Sequence, residues 1–478
     1  MSVSGTYSQA SNSSLAIAIS PTTSSQLAVS GTGGTASLAG TLAIVPQAGT
    51  YVRGTSFQVV TATGGVTGTF DKVTGSVPQL LFATTYKANE VDVMLTGFQA
   101  ANNFSGNQAG DFNALSKAPI GSATDALLNT IGSMSGTAQQ QALDQLNPYA
   151  GLSNQASFTV GMQAFQETMG GRASADPGPA STVQTAQLVS GGGMSVPFGS
   201  YTVWAQGFGQ FSTIDATNAA PSQSTNVAGG AFGMEAPIDL HTRIGGSVAY
   251  SNSSTSVANL AQTGNAGSYA LGFYAGRWYG DFEVDGEVTA AYNQSTTSRF
   301  LSANGLTAKG STDGFGGGVS GAASYRLTLG PAVLKPRVGL EYDYNTSNGY
   351  TETNGGVANL QVASNSQNTL RSAVGATLSQ KISDGGGYSI APEFRVAWLH
   401  QWLNTTPQSN ERFAATPSAA FSTSGSNVGR EAALIGAGLS FSPPPGLGAN
   451  VIFFAEYDAT LAKHETDHAV RGGLKVYW

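Results

Sequence analysis

The sequence predicts an all-β fold: a transmembrane antiparallel β-barrel of about 12 strands over residues 199–478, preceded by a helical segment at 106–198 and a short β-solenoid fragment at 1–105. Three observations predict it. Only 10% of the residues are charged and 63 are glycine, with Ser, Thr, Asn and Gln standing where a soluble protein carries Lys and Glu. Residues 199–478 alternate polar and apolar with period two, the signature of strands with one face apart from the other. The connections between those strands alternate between short and long, as in an outer-membrane barrel.

Composition also excludes whole classes of function. The formal net charge of −7 offers no basic stripe to follow a phosphate backbone, so nucleic acid is not an expected partner. The chain has no cysteine, which removes disulfides, thiolate metal sites and cysteine nucleophiles. No apolar run approaches the ~18 residues of a membrane-spanning helix, so a membrane is crossed by strands. Met1-Ser2-Val3-Ser4-Gly5 lacks the basic start and apolar stretch of an export signal, and the chain is read as a fragment with an added methionine.

In residues 1–105, short apolar runs such as Leu15 to Ile19, Leu42 to Val45 and Phe57 to Val60 lie between glycines and polar clusters. Short stacked strands of a solenoid suit this texture, although no strict repeat is visible. Beyond residue 110, Ala, Gln, Leu and Met take over. Thr137 is placed to cap a short helix holding Leu143 and Leu146, and Pro148 to begin a second that carries Phe158, Met162, Phe165 and Met169 on one stripe. A linker rich in Gly, Pro, Ala and Ser runs from Ala173 to Gly193.

The barrel strands are clearest where charges mark one face. Glu283, Asp285 and Glu287 alternate with Phe282, Val284 and Val288, and Lys335, Arg337, Glu341 and Asp343 alternate with Val338, Leu340, Tyr342 and Tyr344. Glu393 and Arg395 repeat the pattern between Tyr388 and Trp398. The charges Glu283, Asp285, Glu287, Arg337, Glu341 and Arg395 are therefore read as facing a wet lumen. Asn252 to Ala266, Gln294 to Ala308, Thr346 to Val357 and Asn404 to Asn427 read as long polar loops. Ten strands is the alternative count, because Asn226 to Met234 and Asp313 to Tyr325 are mostly Gly and Ala.

From about residue 40 onward the chain resembles the C-terminal part of autotransporters, the type V secretion family. Gly54 to Phe70 resembles the last rungs of that family's β-helical passenger, and Ala142-Leu143-Asp144-Gln145-Leu146-Asn147-Pro148-Tyr149-Ala150 resembles the lead into its barrel. Val203 to Gly209, Pro392 to His400 and Gly473 to Trp478 resemble a first, a later and a last barrel strand. The resemblance implies a translocator that exports and anchors its own passenger at the cell surface, a monomeric barrel in outer-membrane lipid, and a pore helix carrying Phe158, Met162, Phe165 and Met169. It also implies that the barrel-assembly machinery reads the final strand, where Leu474, Val476 and Trp478 share one face. Some relatives cleave the passenger at an Asn-Asn pair in the pore helix; this helix has none, and Asn102-Asn103 lies before the helical region.

Two other function classes compete. A diffusion porin would need neither a pore helix nor a solenoid, and an enzyme on the barrel finds no nucleophile with a partner base in residues 1–105, which favours adhesion as the passenger's activity. His464-Glu465-Thr466-Asp467-His468 matches the zinc-protease string, but that string needs a helix to bring its histidines onto one face, and here it precedes the last strand as an outer loop. Gly31 to Ala36 lacks the strand and helix of a dinucleotide loop. No cofactor or metal is expected.

Overall fold

A computed structural model describes residues 1–75, 80–174, 194–198, 201–239, 241–383, 387–444 and 450–477. The N-terminal region is a parallel β-helix of three stacked coils. Ser2–Ser4, Leu27–Ser30 and Ser56–Ala62 form one wall, Tyr7–Ser8, Ala36–Leu38 and Val66–Gly68 the second, and Ser14–Ile19, Thr41–Pro46 and Lys72–Gly75 the third. Alternate side chains such as Leu15, Ile17, Leu42 and Ile44 stack inside. Ser2 pairs with Ala28, and Ala28 with Thr61, so one coil is 26 residues long and the next 33. That unequal length hides the repeat from the sequence. An antiparallel hairpin, Leu80–Tyr86 with Glu90–Phe98, ends the stack by pairing with Ser56–Ala62.

Four helices follow: α1 (Gly106–Ser116), α2 (Ala123–Gly132), α3 (Gly136–Asp144) and α4 (Tyr149–Ala173). Ser105 and Gln108 cap α1 reciprocally, and the Ser122 hydroxyl accepts from the Asp125 N–H at the start of α2. Pro148 stands at the N-cap of α4 as expected. Thr137 does not cap α3; it lies inside the helix, and Ser135 holds the N-cap position.

The barrel is a closed antiparallel sheet of 12 strands: β1 (Tyr201–Ile214), β2 (Gln223–Asp239), β3 (Thr242–Val257), β4 (Gln262–Tyr279), β5 (Phe282–Leu301), β6 (Leu306–Tyr325), β7 (Ala332–Ser347), β8 (Asn365–Gln380), β9 (Ser389–Gln401), β10 (Glu431–Ser442), β11 (Asn450–Ala462) and β12 (Glu465–Tyr477). Closure comes from β1 pairing with β12, Gly207 with Gly472 through Ile214 with Glu465. The glycine-rich stretches that suggested ten strands lie in β2 and β6, fully paired.

Two rows of outward aromatics mark the lipid band. Tyr250, Tyr269, Tyr292 and Phe315 are successive cross-strand partners on β3 to β6. Tyr279, Phe282 and Tyr325 form the second row. On β4, β5 and β6 the rows are ten residues apart (Tyr269 to Tyr279, Phe282 to Tyr292, Phe315 to Tyr325). Ten residues at about 3.4 Å each, tilted by about 40°, span about 26 Å, the height of an outer-membrane hydrocarbon band.

Above the upper row the wall continues. Asn252 to Ala266 and Gln294 to Ala308 are not loops but the polar ends of β3 to β6, joined by turns at 258–261 and 302–305. They have no apolar face because they stand clear of lipid, yet their backbones pair in register, Thr263 with Ser298 for example. The two remaining loops are ordered as well: Tyr350–Thr351, Leu360–Val362, Gln408–Phe413 and Ala420–Ser424 form a four-stranded sheet. Leu360 and Phe413 of this sheet share one buried cluster with Leu301 of the barrel, Phe112 of α1 and the solenoid interior. His464-Glu465-Thr466-Asp467-His468 is likewise no outer loop: Glu465 begins β12, and His468 stacks on Tyr457 with ring centroids 5.9 Å apart.

Candidate functional site: the occupied barrel lumen

The lumen holds α4. At about 1.5 Å per residue its 25 residues are about 37 Å long, enough to run from the loop rim to the turn rim. Its start is fixed at the loop rim, where Tyr149 and Ala150 pack with Ala220, Val257 and Leu260. Its end lies near the tight turns, where Arg172 meets Glu235.

The stripe read from the sequence faces the wall. Phe165 and Met169 pack with Trp204, Ala231 and Tyr274, and Phe158 and Met162 pack with Ala291. The wall is made of small residues where the helix presses on it. A Cβ on Gly272 would come within 2.3 Å of Met169 Sδ, one on Gly316 within 2.3 Å of Phe158, and one on Gly276 within 1.9 Å of the Ala173 carbonyl oxygen. The weak period-two pattern of β6 thus follows from its task of receiving the helix.

Polar contacts fix the helix in rotation and depth. Asn154 Nδ2 donates to the Thr296 carbonyl at 3.1 Å, and Gln166 Nε2 donates to Asp343 Oδ1 at 3.1 Å. Gln163 Nε2 donates to the other oxygen of Asp343 at 3.2 Å. Near the lower end, Glu235 accepts from Arg172 Nε at 3.1 Å and from the Tyr274 hydroxyl at 2.8 Å, with Arg243 at 3.3 Å. Trp204 Nε1 in turn donates to Tyr274 at 2.8 Å, and its ring lies under the Arg172 guanidinium. Glu167 pairs with Arg471. Both charges on α4 are therefore matched by the barrel, which lowers the cost of placing them inside.

The six charges expected in the lumen are placed on the inner face, but they bond mainly along the wall. Glu283 pairs with Lys335 at 2.7 Å, Asp285 with Arg337 at 2.6 Å, and Glu341 with Arg371 at 3.0 Å. Arg395 bridges Glu393 at 2.7 Å and Asp458 at 2.9 Å. Glu287 accepts from Ser320 and lies beside Gly170, whose missing Cβ leaves it room. Sequence reasoning missed Glu235, Tyr274 and Trp204, although each has the inward parity of its strand and that parity was the available signal. Leu474 and Val476 pair through their backbones with Phe453 and Val451. Their side chains, and Trp478 altogether, lie outside the described residues. Among the described residues no group of His, Asp and Glu is arranged to hold a metal.

A closed twelve-stranded barrel with aromatic girdles and a helix along its bore is the architecture of an outer-membrane translocator. The sequence from 203 to 457 matches the family described as the autotransporter beta-domain, and the chain belongs to it. Among solved structures it is similar to the translocator domain of the autotransporter NalP from Neisseria meningitidis, with 17% identity, a TM-score of 0.49 and coverage of 68% of this chain and 98% of that one. The transport unit of AIDA-I from Escherichia coli is another, with 13% identity, a TM-score of 0.39 and coverage of 64% and 98%. A curated relative, the extracellular serine protease of Serratia marcescens, is 20% identical over 454 residues, 88% of this chain and 43% of that protein. The chain thus spans under half the length of that relative. It is a barrel of the Gram-negative outer membrane that exports a passenger, and the barrel is not itself catalytic.

Proposed function

We propose that the barrel holds its passenger at the cell surface, that the solenoid of residues 1–105 is the C-terminal end of that passenger, and that α4 stays in the lumen as a plug carrying Phe158, Met162, Phe165 and Met169. The observation that carries this reading is the path of the chain. It enters the bore at the loop rim beneath the solenoid and leaves it at the turn rim beside β1, the path of a segment drawn through a pore from the turn side. Outer-membrane lipid surrounds the aromatic rows, and the closed sheet has no edge to pair with a second copy, which supports a monomer. The barrel-assembly machinery reads the final strand through Leu474, Val476 and Trp478. Catalysis of the kind named for the Serratia marcescens relative would belong to a passenger, and adhesion is the activity proposed for this one.

Planar-bilayer conductance of residues 145–478 and of residues 180–478 tests the plug. The shorter chain should open a larger and steadier pore, and identical conductance from the two would refute it. Deletion of Trp478 should leave the chain unassembled; normal heat-modifiable mobility in the outer membrane would refute that role.

A further inference from the structure

The seam between β1 and β12 is zipped along only part of its length. The two strands pair from Ile214 with Glu465 down to Gly207 with Gly472 and no further, although β12 runs on to Tyr477. Below Gly207 the same edge of β1 is held by another segment. The strand Met194–Phe198 folds back on it, Met194 opposite Ala205 and Phe198 opposite Tyr201. The other edge of β1 is already occupied by β2, Thr202 with Glu235 through Ala205 with Phe232. On β12, Gly473 to Tyr477 pair with β11, and among the described residues their second edge carries no ladder. Met194–Phe198 nevertheless lies against β12.

That segment stands in the place of the chain terminus. Carrying the register of the β1–β12 pairing past Gly207 would set Leu474 opposite Ala205, Val476 opposite Val203 and Trp478 opposite Tyr201. Those three partners are the ones taken by Met194, Val196 and Phe198. Both segments run antiparallel to β1, and their sequences match in kind: Met194-Ser195-Val196-Pro197-Phe198 against Leu474-Lys475-Val476-Tyr477-Trp478. Each puts an unbranched or γ-branched apolar residue, a valine and an aromatic at alternate positions. One strand edge accepts one partner, so the two pairings exclude each other. An edge left bare here would place unpaired N–H and C=O groups in hydrocarbon, since Phe232 and Met234 beside it on β2 are exposed to lipid. Pro197 has no N–H and leaves the segment one donor short, so it is the weaker partner of the two.

We propose that Met194–Phe198 is an internal copy of the end of the C-terminal strand and exchanges with it on β1. With the copy in place, the turn half of the seam is parted from β12 while β1 stays paired. With the terminus in place, the seam is zipped to its end and the copy is released. The turn half of the wall thereby opens and closes without baring β1 to lipid.

The chain has no cysteine, so three introduced thiols report the exchange directly. The full chain carrying Val196→Cys, Val203→Cys and Val476→Cys is assembled in the outer membrane, checked by heat-modifiable mobility and equilibrated in a glutathione redox buffer. Directly opposed residues of antiparallel strands are near enough for a disulfide. The thiol at position 203 should be recovered joined to 196 in part of the population and to 476 in the rest. Adding Pro197→Val, which restores the donor, should raise the ratio of the first to the second by about twofold or more. Met194→Cys, Ala205→Cys and Leu474→Cys repeat the measurement two residues along if the first set fails to assemble. Recovery of only one of the two disulfides, of neither, or chiefly of one joining 196 to 476, the mark of a fixed thirteenth strand, would overturn the exchange. A ratio unmoved by Pro197→Val would overturn the competition for one edge.

Discussion

The lower end of α4 gives the sharpest prediction. Glu235 is shared by Arg172, Arg243 and the Tyr274 hydroxyl, and the side chains of Arg172 and Glu235 are only 4% and 3% exposed. Replacing Glu235 by Gln leaves two guanidinium groups facing a site that has lost its carboxylate, and breaking a buried pair in this way costs about 3–5 kcal/mol. Arg172→Leu is milder, because Glu235 keeps Arg243 and Tyr274. It loses the paired donation of Arg172 Nε and Nη2 to Glu235 and a weak contact with the Trp204 ring, about 2 kcal/mol net because Arg243 and Tyr274 continue to serve the carboxylate. Since about 1.4 kcal/mol is tenfold, Glu235→Gln should shift the balance between seated and displaced helix by roughly a hundredfold or more, and Arg172→Leu by roughly thirtyfold. The assay is the fraction of time the full chain spends in a large-conductance state. Adding Arg172→Leu to Glu235→Gln should bring the open fraction back down, because one uncompensated cation goes with it. Equal opening in the two single variants, or a double variant more open than Glu235→Gln, would refute the reasoning.

Three further outcomes follow from the geometry. Gly316→Leu, whose side chain would occupy the space of the Phe158 ring, should raise the conductance of the full chain while Gly321→Leu on the same strand does not; equal conductance in the two would show that the helix does not press on β6. Burial pushes the Glu411 carboxyl up to about 7, and also raises Asp111, in the buried contact between α1 and the outer sheet. Because these folded values lie above the ordinary ones, the stability of this contact is full below about pH 4 and is lost as pH rises through about 7. Thermal unfolding of the outer part should therefore occur at a higher temperature at pH 5 than at pH 8, and Glu411→Gln should remove the part that titrates near 7; an unchanged pH dependence would contradict this. A cysteine at Ser418, exposed on the outer sheet, should react with an impermeant thiol reagent on intact cells while one at Thr328, exposed on the turn rim, does not, and equal labelling would overturn the orientation.

What the sequence by itself determined was the local periodicity and everything that follows from it. Strand parity is a property of neighbouring residues, so the inward Glu283, Asp285 and Arg395 and the outward Phe282, Val284 and Trp398 could be read directly. The helical stripe of Phe158, Met162, Phe165 and Met169 was legible for the same reason. Pairing across the bore was not. Arg172 meets Glu235 and Glu167 meets Arg471 only because the sheet closes, and closure sets which strands face α4. The polar ends of β3 to β6 looked like loops because no lipid requires an apolar face there, and only interstrand hydrogen bonding makes them wall. The same holds for the glycines of β6, which weaken the strand signal locally and earn their place from a helix more than a hundred residues earlier in the chain.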